Sequence, residues 1–294
     1  MDIKQAIDGR TQLIGLIGWP VSHSFSPAMH NAAAAALGLN WVYIPLPVRP
    51  KDLESALHGL SSLGFHGANV TVPHKQAVIP YLHTIEDGAR LIGAVNTILI
   101  NRGSRSNENP WQLSGYNTDW LGFLADLEAL QVEVGRRDCL VLGAGGSARA
   151  VVYGLAQAGA RVHVLARRLA QAAQLASDFK DVASVQIGSL PDLAAYANEL
   201  KAPLIVNTTP LGMSPQVDRS IWPDRQPFPA DSFVYDLVYN PAKTRFMQQA
   251  LDSGCRTSNG LGMLIHQGAI AFELWTGQKP DNQIMKESIG IADE

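Results

Sequence analysis

A lysine follows a short β-branched run in the sequence Asn-Val-Thr-Val-Pro-His-Lys, which spans residues 69–75. Proline is favoured at the first helical position, because the N–H that it lacks would be unpaired there in any case. We therefore expect a strand and then a helix that starts at Pro73 and carries Lys75 in its first turn. The positive end of a helix dipole disfavours an ammonium group, so the position suits a lysine that exchanges protons better than a structural one. A solvated surface lysine is the alternative.

A glycine-rich loop joins a predicted strand to a predicted helix near the middle of the chain. The strand 139–142 runs into Gly-Ala-Gly-Gly-Ser-Ala at residues 143–148, which is the G-x-G-x-x-A pattern of dinucleotide-binding loops. Gly143 permits a tight turn, Gly145 lets the backbone approach a pyrophosphate, and Ala148 keeps the helix close to the strand. The pyrophosphate would lie at the helix N-terminus, where free N–H groups favour anions. The alternative is a glycine turn without a ligand.

The end of the next predicted strand favours one dinucleotide over the other. An NAD site has an acidic residue there, about 20 residues after the glycine loop, which binds the ribose hydroxyl. Here the strand 161–165 leads into Ala166, Arg167 and Arg168, with no acid. A guanidinium group can form a bidentate pair with a 2′-phosphate, whereas a carboxylate would repel it. The sequence therefore favours NADP, although two adjacent arginines are also compatible with a solvated helix start.

Four other segments place polar side chains among apolar surroundings. They are residues 21–27, 93–97, 115–119 and 260–267. The first offers serine hydroxyls and backbone N–H groups to an anion such as a carboxylate, although Ser26 is also expected to cap the helix that follows. The third places Asp119 at a helix start, where an acid also complements the helix dipole. The other two each carry one side-chain amide, Asn96 and Gln267.

Short apolar runs alternate with longer helical patterns along most of the chain. The predicted strands are residues 13–18, 41–46, 68–72, 94–100, 139–142, 161–165, 204–207 and 233–236. The predicted helices are residues 27–37, 52–63, 120–130, 147–158, 170–179, 244–253, 263–276 and 282–289. Strands separated by helices of this size indicate parallel pairing and an α/β fold. Residues 101–112 are rich in turn formers and are expected to form an extended hairpin loop between strands at 98–100 and 113–115.

Length and composition limit the classes of protein. At 294 residues the chain is long enough for two domains, and its 46% of hydrophobic residues can form a sizeable core. A formal charge of −3 without a basic block argues against nucleic acid as a partner. Cys139 and Cys255 lack the spacing of a zinc site or a disulfide framework, so no metal is expected. The polar start and the short apolar runs predict a cytoplasmic protein without a membrane segment.

The glycine loop and the polar segments, in this order, resemble the shikimate dehydrogenase family, whose members interconvert 3-dehydroshikimate and shikimate. The resemblance covers nearly the whole chain, and its specificity lies in the ordered set of short motifs. The motifs are Ser-His-Ser-x-Ser-Pro at 22–27, Asn-Val-Thr-x-Pro-x-Lys at 69–75, Gly-Ala-x-Asn-Thr at 93–97, Gly-x-Asn-Thr-Asp at 115–119, Gly-Ala-Gly-Gly at 143–146, Tyr-Asn-Pro-x-x-Thr at 239–244 and Gly-x-Gly-Met-Leu-x-x-Gln at 260–267.

The resemblance implies two α/β domains separated by a cleft. The N-terminal substrate domain, with a mainly parallel sheet, would comprise residues 1–117 and be completed by helices within 260–294. Residues 118–259 would form a Rossmann-type NADP-binding domain. The implied activity is the NADP-dependent, reversible reduction of 3-dehydroshikimate to shikimate in the chorismate branch of aromatic amino-acid biosynthesis, and a homodimer is the expected assembly.

The family's residue roles carry over to the matching positions of this chain. Lys75 would be the catalytic acid and base, with Asp119 as its partner. The substrate-binding residues would be Ser22, Ser24, Thr71, Asn96, Asp119, Tyr239 and Gln267. The cofactor-binding residues would be Gly143, Ala144, Gly145, Gly146, Ser147, Ala166, Arg167, Arg168, Met213, Leu237, Gly260 and Asp87.

The chain departs from the family pattern in its cofactor segment. The family usually has Asn-Arg-Thr there, whereas residues 166–168 are Ala-Arg-Arg, and Asn259 stands where Asp is common. An NAD-preferring quinate/shikimate dehydrogenase is therefore the first alternative, although the presence of both Ser22 and Ser24 fits a preference for shikimate. A dinucleotide-sensing regulator is the second alternative. Such a regulator would be expected to lose Lys75 or Asp119, and both are present.

Overall fold

The computed structural model describes residues 7–102 and 111–290 of the chain. Contacts between residues divide the chain into two compact units. The first unit extends to Thr118 and resumes at Ile265, and the second unit spans Asp119–Leu264. None of the helices in the described ranges is both long enough and apolar enough to cross a bilayer.

The first unit is built on a six-stranded sheet. Its strands are β1 (Gln12–Gly18), β2 (Trp41–Pro47), β3 (Gly67–Val70), β4 (Thr84–Ile85), β5 (Thr97–Arg102) and β6 (Trp111–Tyr116). The helices are α1 (Ser26–Ala36), α2 (Leu53–Ser62), α3 (His74–Ala77) and α4 (Asp87–Ile92), joined by α11 (Asn282–Glu287) and most of α10 (Leu261–Thr276) from the end of the chain. The strand order is β2-β1-β3-β5-β6-β4.

The direction of β5 determines where the polar segments of the first unit meet. Three of the five strand pairs are parallel, so the prediction of a mainly parallel sheet is confirmed. The prediction of parallel pairing is wrong for β5 and β3, which run antiparallel. The antiparallel pairing of β5 and β6 is that of the predicted hairpin. The chain returns to the carboxyl end of β3 before β5 begins, so that Thr97 pairs with Asn69. The residues that follow β3 and those that precede β5 therefore lie at the same edge of the sheet.

The hairpin between β5 and β6 differs from the predicted loop over residues 101–112. Asn101 pairs with Gln112 and Arg102 with Trp111, so both strands extend into the predicted loop and the prediction is wrong for these four residues. Trp111 is partly buried and packs against the main apolar cluster of the first unit, which explains why strand pairing continues to this point. Residues 103–110 of the predicted loop lie outside the described residues.

The two faces of this sheet pack against different apolar clusters, as the period of two in a strand requires. On β1, Leu13 and Ile17 belong to the cluster that α2 completes. Ile14 and Leu16 belong to the other cluster, which includes Trp275 of α10. The indole Nε1–H of Trp275 also donates to the carbonyl of Ile98, 2.9 Å away. This packing fixes α10, and with it the residues two turns earlier, on the sheet.

The second unit contains a six-stranded sheet in which all neighbouring strands are parallel. Its strands are β7 (Asp138–Leu142), β8 (Arg161–Ala166), β9 (Val185–Ser189), β10 (Leu204–Asn207), β11 (Phe233–Asp236) and β12 (Arg256–Asn259). Its helices are α5 (Asp119–Ala129), α6 (Gly146–Gln157), α7 (Leu169–Asp178), α8 (Leu193–Glu199) and α9 (Arg245–Asp252). The order β12-β11-β10-β7-β8-β9 is the doubly wound order of dinucleotide-binding sheets, with its switch point between β7 and β10. The predicted Rossmann-type fold is confirmed.

The strands that the sequence did not predict share one property. They are β4, β9 and β12, and each lies at an edge of its sheet. An edge strand has a single neighbour and one exposed side, so it needs no continuous apolar run. The segment Arg-Thr-Ser-Asn of β12 is polar throughout and shows this most clearly. The short helices α4 and α8 were also not predicted.

Candidate active site

Lys75 lies at the carboxyl edge of the sheet in the first unit. It is the second residue of α3, a helix of four residues, and its side chain is half-buried. The prediction that Pro73 occupies the first helical position is wrong, because Pro73 is the N-cap residue. The turn is instead fixed by the buried His74, whose Nε2–H donates to the carbonyl of Val48 over 2.7 Å. A helix this short has a small dipole, so the dipole argument for Lys75 loses weight.

A buried hydrogen-bond network lies beside Lys75 and is centred on Asn96. The carbonyl of Lys75 accepts the N–H of Val95 at 2.8 Å, which holds the lysine backbone next to Asn96. The Asn69 amide donates to the Asn96 carbonyl and to Thr97 Oγ1, both at 3.1 Å. Asn69 Oδ1 in turn accepts the hydroxyl of Tyr43 at 2.8 Å. Tyr43, Asn69 and Thr97, which form this chain of bonds to the Asn96 backbone, are all neutral side chains.

The same network reaches Gln267 of α10. Asn96 Nδ2 donates to Thr118 Oγ1 at 2.9 Å and to Gln267 Oε1 at 3.3 Å. The Thr118 N–H donates to Asn96 Oδ1 at 2.7 Å. These bonds orient the Gln267 amide with its oxygen towards Asn96. The predicted substrate residues Asn96 and Gln267 are thus brought together, although 171 residues separate them in sequence.

Asp119 follows Thr118 directly and is the first residue of α5. Its side chain is buried. The chain before it is fixed at two points, because Thr118 bonds to Asn96 as described and the amide of Asn117 donates to the carbonyl of Ala94 at 2.9 Å. The segments of Lys75 and Asp119 are therefore both tied to residues 94–96.

Three predicted hydroxyl groups follow two neighbouring strands of the first unit. Ser22 is exposed and Ser24 is half-buried, and both follow β1, whereas Thr71 follows the adjacent parallel strand β3. The N–H of Thr71 donates to the carbonyl of Ile17 at 2.9 Å, which joins the two strand ends. The prediction of an N-cap at Ser26 is wrong, because Ser26 is already inside α1 and its own N–H donates to Ser24 Oγ at 3.2 Å.

The glycine loop of the second unit has room for an anion. Gly143 has a φ of +118°, and a Cβ there would lie 2.6 Å from Thr208 Oγ1. At Gly145 and Gly146 a Cβ would meet no protein atom within 4 Å, so the backbone at the start of α6 is open to a ligand. Ala148 is fully buried and lets α6 approach the sheet. The loop therefore fits the pyrophosphate of a dinucleotide at the N-terminus of a 12-residue helix.

The basic segment, residues 166–168, lies at the end of β8. This strand pairs with β7, which leads into the glycine loop. Ala166 is buried at the end of β8, whereas Arg167 and Arg168 are exposed, with Arg168 at the N-cap position of α7. Neither arginine forms an ion pair with a carboxylate in the described part of the chain. Both guanidinium groups are thus available to a phosphate at this edge of the sheet.

The remaining predicted cofactor residues differ in their placement. Gly260 lies against Leu237, since a Cβ at position 260 would be 2.2 Å from the carbonyl oxygen of Leu237. Met213, in the loop after β10, is 47% exposed. Asp87 is an exposed residue at the start of α4 in the first unit, whereas all the other predicted cofactor residues belong to the second unit. Tyr239, a predicted substrate residue, also belongs to the second unit, and burial raises the pKa of its hydroxyl.

Comparison with known proteins places this arrangement in a family. The family model for the substrate-binding domain of shikimate dehydrogenase matches residues 16–98, and that for the C-terminal domain of shikimate 5′-dehydrogenase matches residues 260–289. The shikimate dehydrogenase (NADP(+)) of Carboxydothermus hydrogenoformans is 44% identical over 97% of this chain and 99% of its own length. This chain belongs to the shikimate dehydrogenase family.

Solved structures of the family superpose on nearly the whole chain. A shikimate dehydrogenase crystallised with NADP+ has a TM-score of 0.89 at 39% identity, covering 98% of both chains. A quinate dehydrogenase from Corynebacterium glutamicum, crystallised with NAD, has a TM-score of 0.85 at 32% identity and covers 95% of this chain and 98% of its own. The two neighbours correspond to the two dehydrogenase activities that the sequence left open.

Several residues that organise the site were not among the sequence-based candidates. In the first unit these are Tyr43, Thr97 and Thr118, and in the second unit they are Asn207, Asp236 and Thr244. Thr97, Thr118 and Thr244 stand inside motifs that the sequence displayed, so the motifs gave a signal for them. Tyr43 and Asp236 lie within ordinary strands, where nothing in the sequence distinguishes them from core residues.

Proposed function

We propose that this chain catalyses the reversible, NADP-dependent reduction of 3-dehydroshikimate to shikimate. The observation that carries the proposal is the meeting of hydroxyl, amide and ammonium side chains at one edge of the first sheet. These groups match the chemistry of a small hydroxylated carboxylic acid. The relative from Carboxydothermus, which has this activity in its name, supports the same conclusion.

A substrate domain with the boundaries 1–117 and 260–294, which overlaps most of the first unit, is proposed to bind the substrate. The hydroxyls of Ser22, Ser24 and Thr71 are proposed to hold a carboxylate, and the parallel pairing of the two strands that they follow supports this role. Asn96 and Gln267 present oriented amides, which suit the alternating donor and acceptor character of ring hydroxyls. Asp119 and Tyr239 are proposed as further substrate contacts.

Lys75 is proposed to move the proton of the reacting hydroxyl, with Asp119 as its partner. When shikimate is oxidised, the hydroxyl O–H bond breaks and the proton passes to Nζ of Lys75, while the carbon loses a hydride. In the reverse direction the ammonium group returns the proton to the oxygen as negative charge develops there. The segments of both residues are tied to residues 94–96, which supports a shared role.

A domain with the boundaries 118–259, which overlaps most of the second unit, is proposed to bind NADP. The pyrophosphate would lie at the glycine loop and α6, the 2′-phosphate at Arg167 and Arg168, and the nicotinamide beside Met213, Leu237 and Gly260, with Asp87 as an additional contact. When bound, the cofactor accepts or supplies the hydride, and the protein supplies orientation. The exposed arginine pair favours NADP over NAD, because the ribose of NAD carries no 2′-phosphate for it to bind.

One assay tests the proposal against its nearest competitor. The purified chain is incubated with shikimate or quinate and with NADP or NAD, and nucleotide reduction is followed by absorbance. We expect kcat/KM to be highest for shikimate with NADP. A higher kcat/KM for quinate with NAD would favour the activity named for the Corynebacterium neighbour, and no turnover with any pair would favour a regulator.

The family resemblance also supports a homodimer and a cytoplasmic location for this protein. Light scattering of the purified chain tests the first expectation, because a dimer has twice the monomer mass of 31.7 kDa. Fractionation of cells that express the chain tests the second.

A further inference from the structure

A buried carboxylate in the second unit has no part in the proposed chemistry. Asp236 ends β11 and has no exposed surface. Its Oδ1 accepts Nδ2 of Asn207 at 2.8 Å and the N–H of Val238 at 3.1 Å, and its Oδ2 accepts the hydroxyl of Thr244 at 2.6 Å. Burying a carboxylate is unfavourable unless it is hydrogen-bonded, and here three donors converge on it.

The three donors belong to three different segments of the chain. Asn207 ends β10, Val238 lies in the loop after β11, and Thr244 is the N-cap of α9, where its Oγ1 also accepts the N–H of Met247 at 3.3 Å. Asp236 therefore joins the ends of two adjacent parallel strands to the start of the helix that follows them. This is the edge of the sheet next to its switch point.

The joined segments carry the residues assigned to the nicotinamide. The loop after Asn207 is held by Asn207 Oδ1, which accepts both the N–H and the hydroxyl of Thr209. Further along this loop Gly212, which precedes Met213, adopts a φ of +92°, and a Cβ there would be 3.4 Å from Cβ of Thr244. Thr244 therefore bonds to the carboxylate on one side and lies next to Gly212, the residue before Met213, on the other.

We propose that Asp236 is a positioning residue that fixes the nicotinamide wall of the cofactor site through Asn207 and Thr244. It touches neither substrate nor cofactor, and it acts by holding the loops of Met213 and Leu237 in place. The inference rests on the proposed NADP-dependent function. In this proposal Asp236 supports both the loop after β10 and the loop after β11. This support is separate from the glycine loop and the arginine pair, which are assigned to the pyrophosphate and the 2′-phosphate.

The test uses Thr244, because replacing Asp236 itself would change three hydrogen bonds at once. Thr244→Val keeps the shape of the side chain but removes the hydroxyl that reaches Asp236, and Thr244→Ser keeps the hydroxyl. Calorimetry gives the Kd for NADP and for 2′,5′-ADP, which has the 2′-phosphate and adenine but no nicotinamide. Leu175→Val, a fully buried change in α7, controls for a general loss of stability.

For Thr244→Val we expect the Kd for NADP to rise about fivefold and kcat to fall about tenfold, because small displacements of positioning groups have effects of this order. The Kd for 2′,5′-ADP should stay within about twofold, and Thr244→Ser and Leu175→Val should resemble the parent chain. An equal change in both Kd values, or no change in either, would overturn the proposal. If the parent chain binds NADP but does not oxidise shikimate, the proposed function fails, and the two Kd values still decide this inference. A parent chain that does not bind NADP overturns both.

Discussion

Each unit of this molecule contains a buried hydrogen-bond network near the carboxyl edge of its sheet, and the central groups of the two networks differ in charge. The network of the first unit joins Tyr43 to Asn96 and Gln267 through amides and hydroxyls. The network of the second unit is centred on the carboxylate of Asp236. A neutral network can present both donors and acceptors to a polyhydroxylated ligand. A carboxylate can only accept, so it serves as a tie between donors of the protein itself.

The two networks also differ in the separation of their members along the chain. In the second network, Asn207 lies 29 residues before Asp236, and Thr244 lies 8 residues after it. The first network includes a bond between residues 171 positions apart. The first network therefore depends on the whole unit being assembled, whereas the second depends on two neighbouring strands. The four predictions below test this contrast between the units.

Lys75→Ala should have the largest effect, and the effect should be confined to the chemistry of the first unit. Removing a general acid and base lowers kcat by about 10³. Binding of NADP to the second unit should be unchanged, and the Kd for shikimate should rise only modestly. Steady-state kinetics and calorimetry measure these quantities, with the exposed Lys51→Ala as the control. If Lys75→Ala retained most of its turnover, Lys75 would be an ordinary surface lysine.

The charge of the second network should appear as a dependence of stability on pH. Burial raises the pKa of Asp236 to about 6. Between pH 4 and pH 6 the unfolded chain loses the Asp236 proton while the folded chain retains it, so the stabilisation is fully present below pH 4 and is lost as the pH rises through 6. Over the whole titration the change in unfolding free energy is about 3 kcal/mol.

Urea denaturation of the parent chain and of Asp236→Asn at several pH values isolates the contribution of Asp236 to the unfolding free energy. The difference in unfolding free energy between the two proteins should change by about 2 kcal/mol from pH 4 to pH 7, to the disadvantage of the parent chain. Burial lowers the pKa of His30 in the first unit to about 3, which gives the opposite slope, but this contribution is present in both proteins and cancels. A difference that does not vary with pH would mean that Asp236 does not titrate in this range.

The sequence predicted the binding motifs of the second unit better than the hydrogen-bond network of the first. The reason is again the separation of the residues along the chain. The glycine loop at 143–148 and the arginine pair are local patterns next to a strand, and the structure places them at neighbouring strand ends, as predicted. Tyr43 and Thr118 act through bonds to residues far away in sequence, and no local pattern displays such bonds. The direction of β5 is likewise a property of the assembled sheet, so parallel pairing was the wrong prediction there.

Arg167→Ala should weaken NADP recognition in the second unit and leave the first unit unchanged. A hydrogen-bonded pair with a charged group contributes about 1.5–3 kcal/mol, so kcat/KM for NADP should fall by about tenfold or more. The value for NAD should change little, because NAD carries no 2′-phosphate. The exposed Arg225→Ala serves as the control. An unchanged preference between the two cofactors would assign the 2′-phosphate to other residues.

Tyr43→Phe should have the smallest effect, and it tests whether the neutral network extends its influence to the substrate. Burial raises the pKa of Tyr43, so its hydroxyl remains a donor, and Asn69 Oδ1 accepts it at 2.8 Å. Removing this donor should cost about 1 kcal/mol of stability and raise the KM for shikimate about threefold, because Asn69 holds the backbone of Asn96. Tyr196→Phe, in the second unit, should leave that KM unchanged. Equal KM values for both variants and the parent chain would show that the influence of Tyr43 ends at Asn69 and does not reach the substrate.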